Sequence, residues 1–369
     1  MPHKNKPVLS PEQLRWFRLY NSGLIKPFAS NEEAARSLFG VQAQILPAAA
    51  LSLWNRTPAL SHQRFESTLY QDRTLVKLWG QRGTLHLYDT NDWPLLFGAL
   101  SGRPTWFERQ AVSASAKRKY KAALEKAMVL LEEHGAITRE GLRAQGLSND
   151  FLSSWGGIFT DLVRRGLACH GPQEGGEGKL CARSHWSPDL AWAPPAAEAA
   201  NVSIARRAIK TYGPISEKDF AYWRGTSTKD AKRWFDLLRP ELTQVELGAD
   251  TPQWIFTEDL ERLQIKAPDR EAWPIKVLYR FDPLLLAHKD KAWVVPQKHY
   301  SKVWRPAGHI EGVILEHGVA VATWRYERTA KSLGFEVSPF SRLSKAAKET
   351  FWEKAEALAA FFGLTLADS

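Results

Sequence analysis

The chain contains few of the residues and runs that define several protein classes. Its 369 residues include only two cysteines, too few for the disulfide framework of a secreted scaffold. No stretch is apolar and long enough to span a bilayer, and the N-terminus has no apolar signal core. A phosphate-cradling glycine loop, a metalloprotease helix and a nucleophile elbow are also missing. We therefore expect a cytoplasmic protein with no membrane partner and no cofactor.

The two cysteines raise one alternative, which is a zinc site. Four potential ligands lie close together in the sequence: Cys169, His170, Cys181 and His185. Their spacing is not that of a zinc finger, and adjacent Cys and His side chains rarely face one ion. We therefore expect no metal, with Cys169 and Cys181 as ordinary strand residues.

Acidic residues are outnumbered by basic ones. The chain has 50 Lys and Arg against 40 Asp and Glu, which gives a net charge of +10 and a pI of about 9.5. Such an excess favours polyanionic partners and accelerates association with them. A basic protein without a nucleic-acid partner has the same composition, so charge alone does not decide between the two.

A short phrase occurs twice in the chain. Residues 134–138 read His-Gly-Ala-Ile-Thr, and residues 212–216 read Tyr-Gly-Pro-Ile-Ser. In each copy Gly ends one helix, Thr or Ser caps the next, and Ile anchors the turn in a core. The flanking helices are predicted over 120–133 and 139–144 for the first copy, and over 205–211 and 217–223 for the second. This pattern indicates a helix-turn-helix, and two copies indicate tandem DNA-binding modules.

The residues after each copy predict a third helix and a two-stranded wing. After the first copy these are a helix over 151–165 and strands over 167–170 and 180–183, with a loose tip over 171–178. After the second copy they are a helix over 228–238 and strands over 243–247 and 254–256. Two unrelated helical hairpins are the alternative.

The two ends of the chain complete the predicted architecture, which is mainly α with β. The N-terminal segment predicts helices over 10–20 and 30–39 and a strand pair over 75–79 and 84–88. The last hundred residues predict strands over 276–279, 292–295, 312–315 and 319–324 and a helix over 345–362. We predict winged-helix modules over 1–115, 116–195 and 196–272, and a β domain with a C-terminal helix over 273–369.

Gln42 and Gln44 form a polar pair in an otherwise helical and apolar setting. In extended backbone, positions i and i+2 face the same way, whereas in a helix they point about 200° apart. Gly40 and Pro47 flank the pair and favour a break in the helix. On the residues alone, two glutamines near a helix end are more commonly a solvated face.

Several phrases of the chain, taken in order, match one known family. They lie at 38–44, 54–56, 82–87, 212–214, 281–285, 312–315 and 322–325. On this ordered set the chain resembles the winged-helix DNA glycosylases of the AlkZ and YcaQ type, whose hallmark is a Gln-x-Gln or Gln-x-Asp pair. The resemblance covers nearly the whole chain. It implies three winged-helix modules and a β domain that together form a concave DNA-binding surface.

The resemblance implies a chemistry that suits the two amides. A monofunctional glycosylase adds water to the anomeric carbon through an oxocarbenium-like transition state. A purine alkylated at N7 is cationic and departs readily, so the enzyme needs no strong acid. Gln42 and Gln44 can orient the water and stabilise the cationic sugar with their carbonyl dipoles. We therefore expect duplex DNA with alkylated purines as the substrate, and the bulky lesions of AlkZ-like relatives imply interstrand crosslinks too.

Further side chains are candidates for contacts with DNA: Arg56, Lys77, Arg82, His86, Arg305, Arg325 and Arg328. Each cation has the alternative of an ordinary surface charge, because only some of them can face DNA. His86 either faces DNA and assists the water, or is a wing residue satisfied by hydrogen bonds, which we favour. Asp282 either holds a turn, which we favour, or is a remote carboxylate near the site.

The leading hypothesis is a monomeric DNA N-glycosylase for cationic N7-alkylpurines. The alternative is a non-catalytic winged-helix regulator or lesion sensor. Gln42 and Gln44 distinguish the two hypotheses, because a regulator has no need of them.

Overall fold

The computed structural model describes residues 7–102, 104, 107, 109, 112–153, 156–247, 251–264 and 267–367. The α-helices are α1 (Pro11–Asn21), α2 (Asn31–Leu38), α3 (Leu46–Trp54), α4 (His62–Glu66), α5 (Trp93–Leu100), α6 (Ala114–His134), α7 (Arg139–Ala144), α8 (Gly157–Arg164), α9 (Arg183–Trp186), α10 (Ala197–Tyr212), α11 (Glu217–Arg224), α12 (Thr228–Leu238), α13 (Leu260–Gln264), α14 (Pro283–Leu286), α15 (Tyr300–Val303) and α16 (Lys345–Phe361). The strands are β1 (Val41–Gln42), β2 (Leu75–Trp79), β3 (Leu85–Asp89), β4 (Ala136–Thr138), β5 (Ala168–Glu174), β6 (Glu177–Ala182), β7 (Leu242–Val245), β8 (Gln253–Phe256), β9 (Lys276–Leu278), β10 (Gly312–Glu316), β11 (Val319–Arg328), β12 (Ser332–Pro339) and β13 (Thr365–Leu366).

The chain divides into two compact units. One, here called the discontinuous unit, combines Met1–Phe65 with Val202–Ser369. The other, the inserted unit, is Glu66–Asn201. These boundaries do not coincide with the four consecutive segments expected from the sequence, and the first of those segments, 1–115, contributes to both units. Among the residues described, no helix is both long and apolar enough to cross a membrane.

The inserted unit is built on an antiparallel sheet in the order β3-β2-β5-β6-β4. Helix α6 begins at the Ser113 cap and ends at Gly135, whose φ of 69° is the left-handed conformation that glycine favours. Thr138 then caps α7 through the amide of Gly141, as the first phrase predicts. The residues between these caps were predicted as a turn, but they form β4, in which the buried Ile137 pairs with Leu180.

The hairpin after α8 differs from its prediction in length. Strand β5 extends to Glu174 and strand β6 begins at Glu177, so the turn between them consists of Gly175 and Gly176. Both glycines have positive φ, which permits so tight a connection. The predicted loose tip over 171–178 is therefore wrong, because most of it pairs as strand.

The discontinuous unit contains helices α10, α11 and α12 and then the β7–β8 hairpin. Ser216 caps α11 in a capping box with Asp219, as the second phrase predicts. In the same unit, a five-stranded sheet has the order β13-β12-β11-β10-β9. The predicted β10–β11 hairpin is confirmed, whereas β12 and β13 were not predicted.

One strand predicted in this unit is wrong. Residues 292–295 form a turn, because the amides of Val294 and Val295 both donate to the carbonyl of Lys291. The two valines are buried, at 1% and 0% exposed, which explains why the segment reads as a strand. Strand β11 makes one backbone contact with the segment, in which the amide of Ala320 donates to the carbonyl of Val294 at 2.8 Å, but the segment joins no sheet among the described residues.

Candidate active site

The Gln42–Gln44 segment lies where the chain leaves α2 and has not yet entered α3. Helix α2 ends at Phe39, which has a left-handed φ of 45°, and Gly40 follows with a φ of 96°. These two residues turn the chain out of the helix into the two-residue strand β1. Helix α3 begins only at Leu46, with Pro47 in its first turn. The predicted helix break between Gly40 and Pro47 is therefore confirmed.

Burial alternates along this segment. Val41 and Ala43 are 0% exposed, whereas Gln42 is 9% exposed and Gln44 is half-buried. Gln42 ends β1, and Gln44 lies in the bend that leads into α3. The apolar Val41 and Ala43 are the more deeply buried residues of the stretch, and Gln44 is the more accessible of the two amides.

The segment is electrically neutral. Along the chain, no Asp or Glu occurs between Glu33 and Glu66, and no Lys occurs between Lys26 and Lys77. The polar groups that the segment itself offers are therefore two amides and the backbone. Amides can orient a water and present dipoles, but they cannot take up a proton as a carboxylate or an amine does.

Arg56, just beyond α3, is not a phosphate contact. Its guanidinium donates to both carboxylate oxygens of Asp282, at 2.8 and 2.7 Å, and both side chains are 0% exposed. It also donates to the carbonyls of Ser22 and Ser52, at 2.7 and 2.9 Å. The prediction that Arg56 reaches DNA is wrong, because the side chain is enclosed in the core of the discontinuous unit.

The contacts of Asp282 agree with the structural role that we favoured for it. Besides Arg56, its carboxylate accepts from the amide of Leu284 at 2.9 Å and so caps α14. Every contact that this carboxylate makes is thus to a fixed, buried donor. A carboxylate held in this way is not available to activate a water.

Three predicted DNA contacts belong to the inserted unit. Lys77 lies half-buried in β2, and burial lowers its pKa. Arg82, at the turn between β2 and β3, is half-buried with a left-handed φ of 53°. His86 is 3% exposed, and its Nδ1 lies 3.0 Å from the carbonyl of Thr84. Because a carbonyl only accepts, this nitrogen carries the proton, which agrees with the structural role favoured for His86.

The remaining predicted contacts are exposed cations of the discontinuous unit. Arg305 pairs with Glu311 at 3.3 Å, and Arg325 pairs with Glu336 at 2.6 Å. Arg328 is also exposed, with its guanidinium 5.1 Å from the centre of the Phe362 ring. Arg325 and Arg328 both lie on β11. Exposed ion pairs are weak, so these side chains can exchange a carboxylate for a phosphate at little cost.

Cys169 and Cys181 are free thiols at paired positions of β5 and β6. Burial raises the pKa of both, so neither has the character of a reactive thiolate. Within the described part of the chain, no group of three or more His, Cys, Asp or Glu side chains is arranged to hold a metal ion.

Comparison with known proteins defines the class. The family described as "DNA glycosylase AlkZ-like" matches residues 35–361, and the chain belongs to this family. It is thus an enzyme of the class that hydrolyses N-glycosyl bonds in DNA, and this favours catalysis over the non-catalytic regulator.

A sequence match and a structural match to Streptomyces sahachiroi place the chain more closely. The "Interstrand DNA cross-link repair glycosylase" of Streptomyces sahachiroi is 28% identical over 311 residues, which are 80% of this chain and 82% of the relative. The solved structure of Streptomyces sahachiroi DNA glycosylase AlkZ superposes with a TM-score of 0.79 at 25% identity. The match covers 97% of this chain and 98% of that one. The resemblance deduced from the ordered phrases is therefore confirmed.

Proposed function

We propose that this enzyme hydrolyses the N-glycosidic bond of cationic N7-alkylated purines in duplex DNA, including those that form the two ends of an interstrand crosslink. In this proposal Gln42 and Gln44 hold the attacking water and stabilise the positive charge that develops on the sugar. The repair function in the name of the Streptomyces sahachiroi relative supports the crosslink as a substrate.

The observation that carries the proposal is the amide pair on its neutral segment. Gln42 and Gln44 lie two residues apart in the short non-helical stretch between α2 and α3, and along the chain no Asp or Glu occurs between Glu33 and Glu66. An unmodified purine is a poor leaving group, and its removal calls for an acid to protonate the base and a carboxylate to activate water. A cationic purine needs neither, because it departs as a neutral base. Two amides are therefore sufficient for the cationic substrate and insufficient for the ordinary one.

The roles of the two amides follow from their atoms. Each carbonyl oxygen accepts a hydrogen bond from the water and so directs a lone pair of the water oxygen toward the anomeric carbon. The same carbonyl dipoles point their negative ends at the oxocarbenium-like sugar. The proton released after attack passes to solvent. The product is an abasic site and a free base.

We also propose how the modules meet the substrate. Helices α6, α7 and α8 with the β5–β6 hairpin have the element order of a winged helix, as do α10, α11 and α12 with the β7–β8 hairpin. The accessible cations Arg305, Arg325 and Arg328 would contact phosphates, and one copy of the chain would act alone. Lys77 and Arg82 of the inserted unit are further candidates for phosphate contacts.

The test is base release from a duplex that carries a single N7-methylguanine, followed by cleavage of abasic sites and gel analysis. We expect Gln44→Ala and Gln42→Ala each to lower the single-turnover rate by about 100-fold, the usual cost of removing one preorganised dipole. Gln63→Ala, which removes an exposed amide on α4, is the matched control and should leave the rate unchanged. Excision of uracil, or undiminished rates in both variants, would refute the proposal.

A further inference from the structure

The carbonyl groups at the end of α2 lie directly before the Gln42–Gln44 segment. The last four carbonyls of a helix have no partner within the helix, so their partners come from elsewhere. The chain itself supplies two of them, since the amide of Gly40 donates to Ala35 at 3.0 Å and that of Phe39 donates to Arg36 at 3.2 Å. The carbonyls of Ser37 and Leu38 remain.

Two neighbouring side chains of α10 satisfy these remaining carbonyls. The hydroxyl of Thr211 donates to the carbonyl of Ser37 at 2.6 Å, and the hydroxyl of Tyr212 donates to the carbonyl of Leu38 at 2.9 Å. Both donors lie 174 residues along the chain from their acceptors, within the same compact unit. The C-terminus of α2 is thus capped partly by the backbone that follows it and partly by side chains of another helix.

Tyr212 is itself held rigidly. It is 0% exposed, and Nε2 of His288 lies 2.9 Å from its carbonyl oxygen. Because that oxygen only accepts, Nε2 carries a proton. Burial first, and then the nearby charge of Arg18, lower the pKa of His288 to about 3, so the ring is neutral at physiological pH. The Tyr212 hydroxyl therefore donates to the Leu38 carbonyl from a fixed position.

The Leu38 carbonyl controls the direction in which the chain leaves the helix. It belongs to the peptide plane that joins Leu38 to Phe39, the first of the two residues with positive φ. Rotation of this plane would swing the segment that follows, and Gln42 is only four residues away. A displacement of about 1 Å at a reacting group can cost up to about 100-fold in rate.

We propose that Thr211 and Tyr212 are positioning residues that set the placement of Gln42 and Gln44 through the two terminal carbonyls of α2. They act through the backbone and do not touch the substrate. This assigns a further role to Tyr212, the first residue of the phrase at 212–216. The inference rests on the catalytic role proposed above for the two amides.

The test is a double-variant cycle on single-turnover base release from the N7-methylguanine duplex. Tyr212→Phe removes only the hydroxyl, and we expect it to lower the rate about tenfold while affinity for undamaged duplex is unchanged. In a Gln42→Ala/Gln44→Ala background the same change should have no further effect, because both groups that it positions are already gone. Tyr222→Phe is the control, since its hydroxyl on α11 contacts Lys291 instead.

A second pair of variants guards against a general loss of structure. Thr211→Val removes the hydroxyl at nearly constant volume and should slow base release, whereas Thr211→Ser keeps the hydroxyl and should restore the rate. All rates are measured well below the unfolding temperature of each variant.

The outcomes separate the two proposals. If Gln42→Ala/Gln44→Ala is slow but Tyr212→Phe lowers the rate by the same factor in the wild-type and the double-variant backgrounds, the positioning role is refuted and the proposed function stands. If Gln42→Ala and Gln44→Ala both retain full activity, the proposed function fails and the positioning role fails with it. Full activity of Tyr212→Phe and Thr211→Val would refute the positioning role directly.

Discussion

Replacement of Arg56 should unfold this protein rather than detach it from DNA. The guanidinium is 0% exposed and makes a two-pronged contact with the equally buried Asp282, and it also satisfies two backbone carbonyls. In Arg56→Met the apolar volume is largely kept, but Asp282 is left as a buried charge without its cation. We therefore expect a large loss of stability and no specific loss of DNA affinity in the folded fraction.

The magnitude follows from the burial of the pair. Breaking a buried ion pair by removing one partner costs about 3–5 kcal/mol, a large part of the total stability of most domains. Removing both partners costs less, because no uncompensated charge remains. Arg56→Met combined with Asp282→Leu should therefore be less destabilised than the sum of the two single variants.

The assay is urea unfolding of the two single variants and the double variant, with binding to undamaged duplex measured on the folded protein at several salt concentrations. A coupling free energy near zero between Arg56 and Asp282 would contradict the reasoning. So would a variant of unchanged stability whose affinity falls and whose salt dependence flattens, because that is the behaviour of a phosphate contact.

Three other predictions concern pH, DNA contact and product. Burial lowers the pKa of His170 and His288 from 6.5 to about 3, so below about pH 6.5 the unfolded chain binds more protons. Urea unfolding should show stability falling by about 1.4 kcal/mol per pH unit for each histidine between pH 6 and 4, and a flat profile would contradict this. Arg325→Ala should weaken binding to undamaged duplex and reduce its salt slope by about one; an unchanged slope would exclude a phosphate contact. The product should be an unnicked abasic site with no adduct trapped by borohydride, since no Lys occurs between Lys26 and Lys77.

Local signals in the sequence predicted several helix ends. The caps at Ser30, Thr138 and Ser216 each satisfy a backbone amide at the start of the predicted helix. Gly135 ends α6 with positive φ as expected. Such signals can be recognised in the sequence because the capping residue and the backbone group that it satisfies lie within a few residues of one another.

Features that depend on residues far apart in the chain could not be predicted from the sequence. Arg56 resembles any surface arginine in the sequence, and only the approach of Asp282 makes it a core residue. Ile137 belongs to a strand because β6 lies beside it, whereas the amides of the buried Val294 and Val295 turn back to the carbonyl of Lys291. For the site, Gly40 and Pro47 predicted the backbone break, whereas the contacts of Thr211 and Tyr212 with α2 have no local signal.

The discontinuous unit combines two separated stretches of the chain, so its two parts leave the ribosome at different times. Arg56 is synthesised 226 residues before Asp282, which at about 5–20 residues per second is an interval of about 10–45 s. The inserted unit, Glu66–Asn201, is complete well before then and can fold first. The segment that carries Gln42 and Gln44 has no α10 to pack against until Tyr212 has been made, and no Asp282 until later still. Until then the buried leucines of α3, Leu51 and Leu53 among them, are open to chaperones.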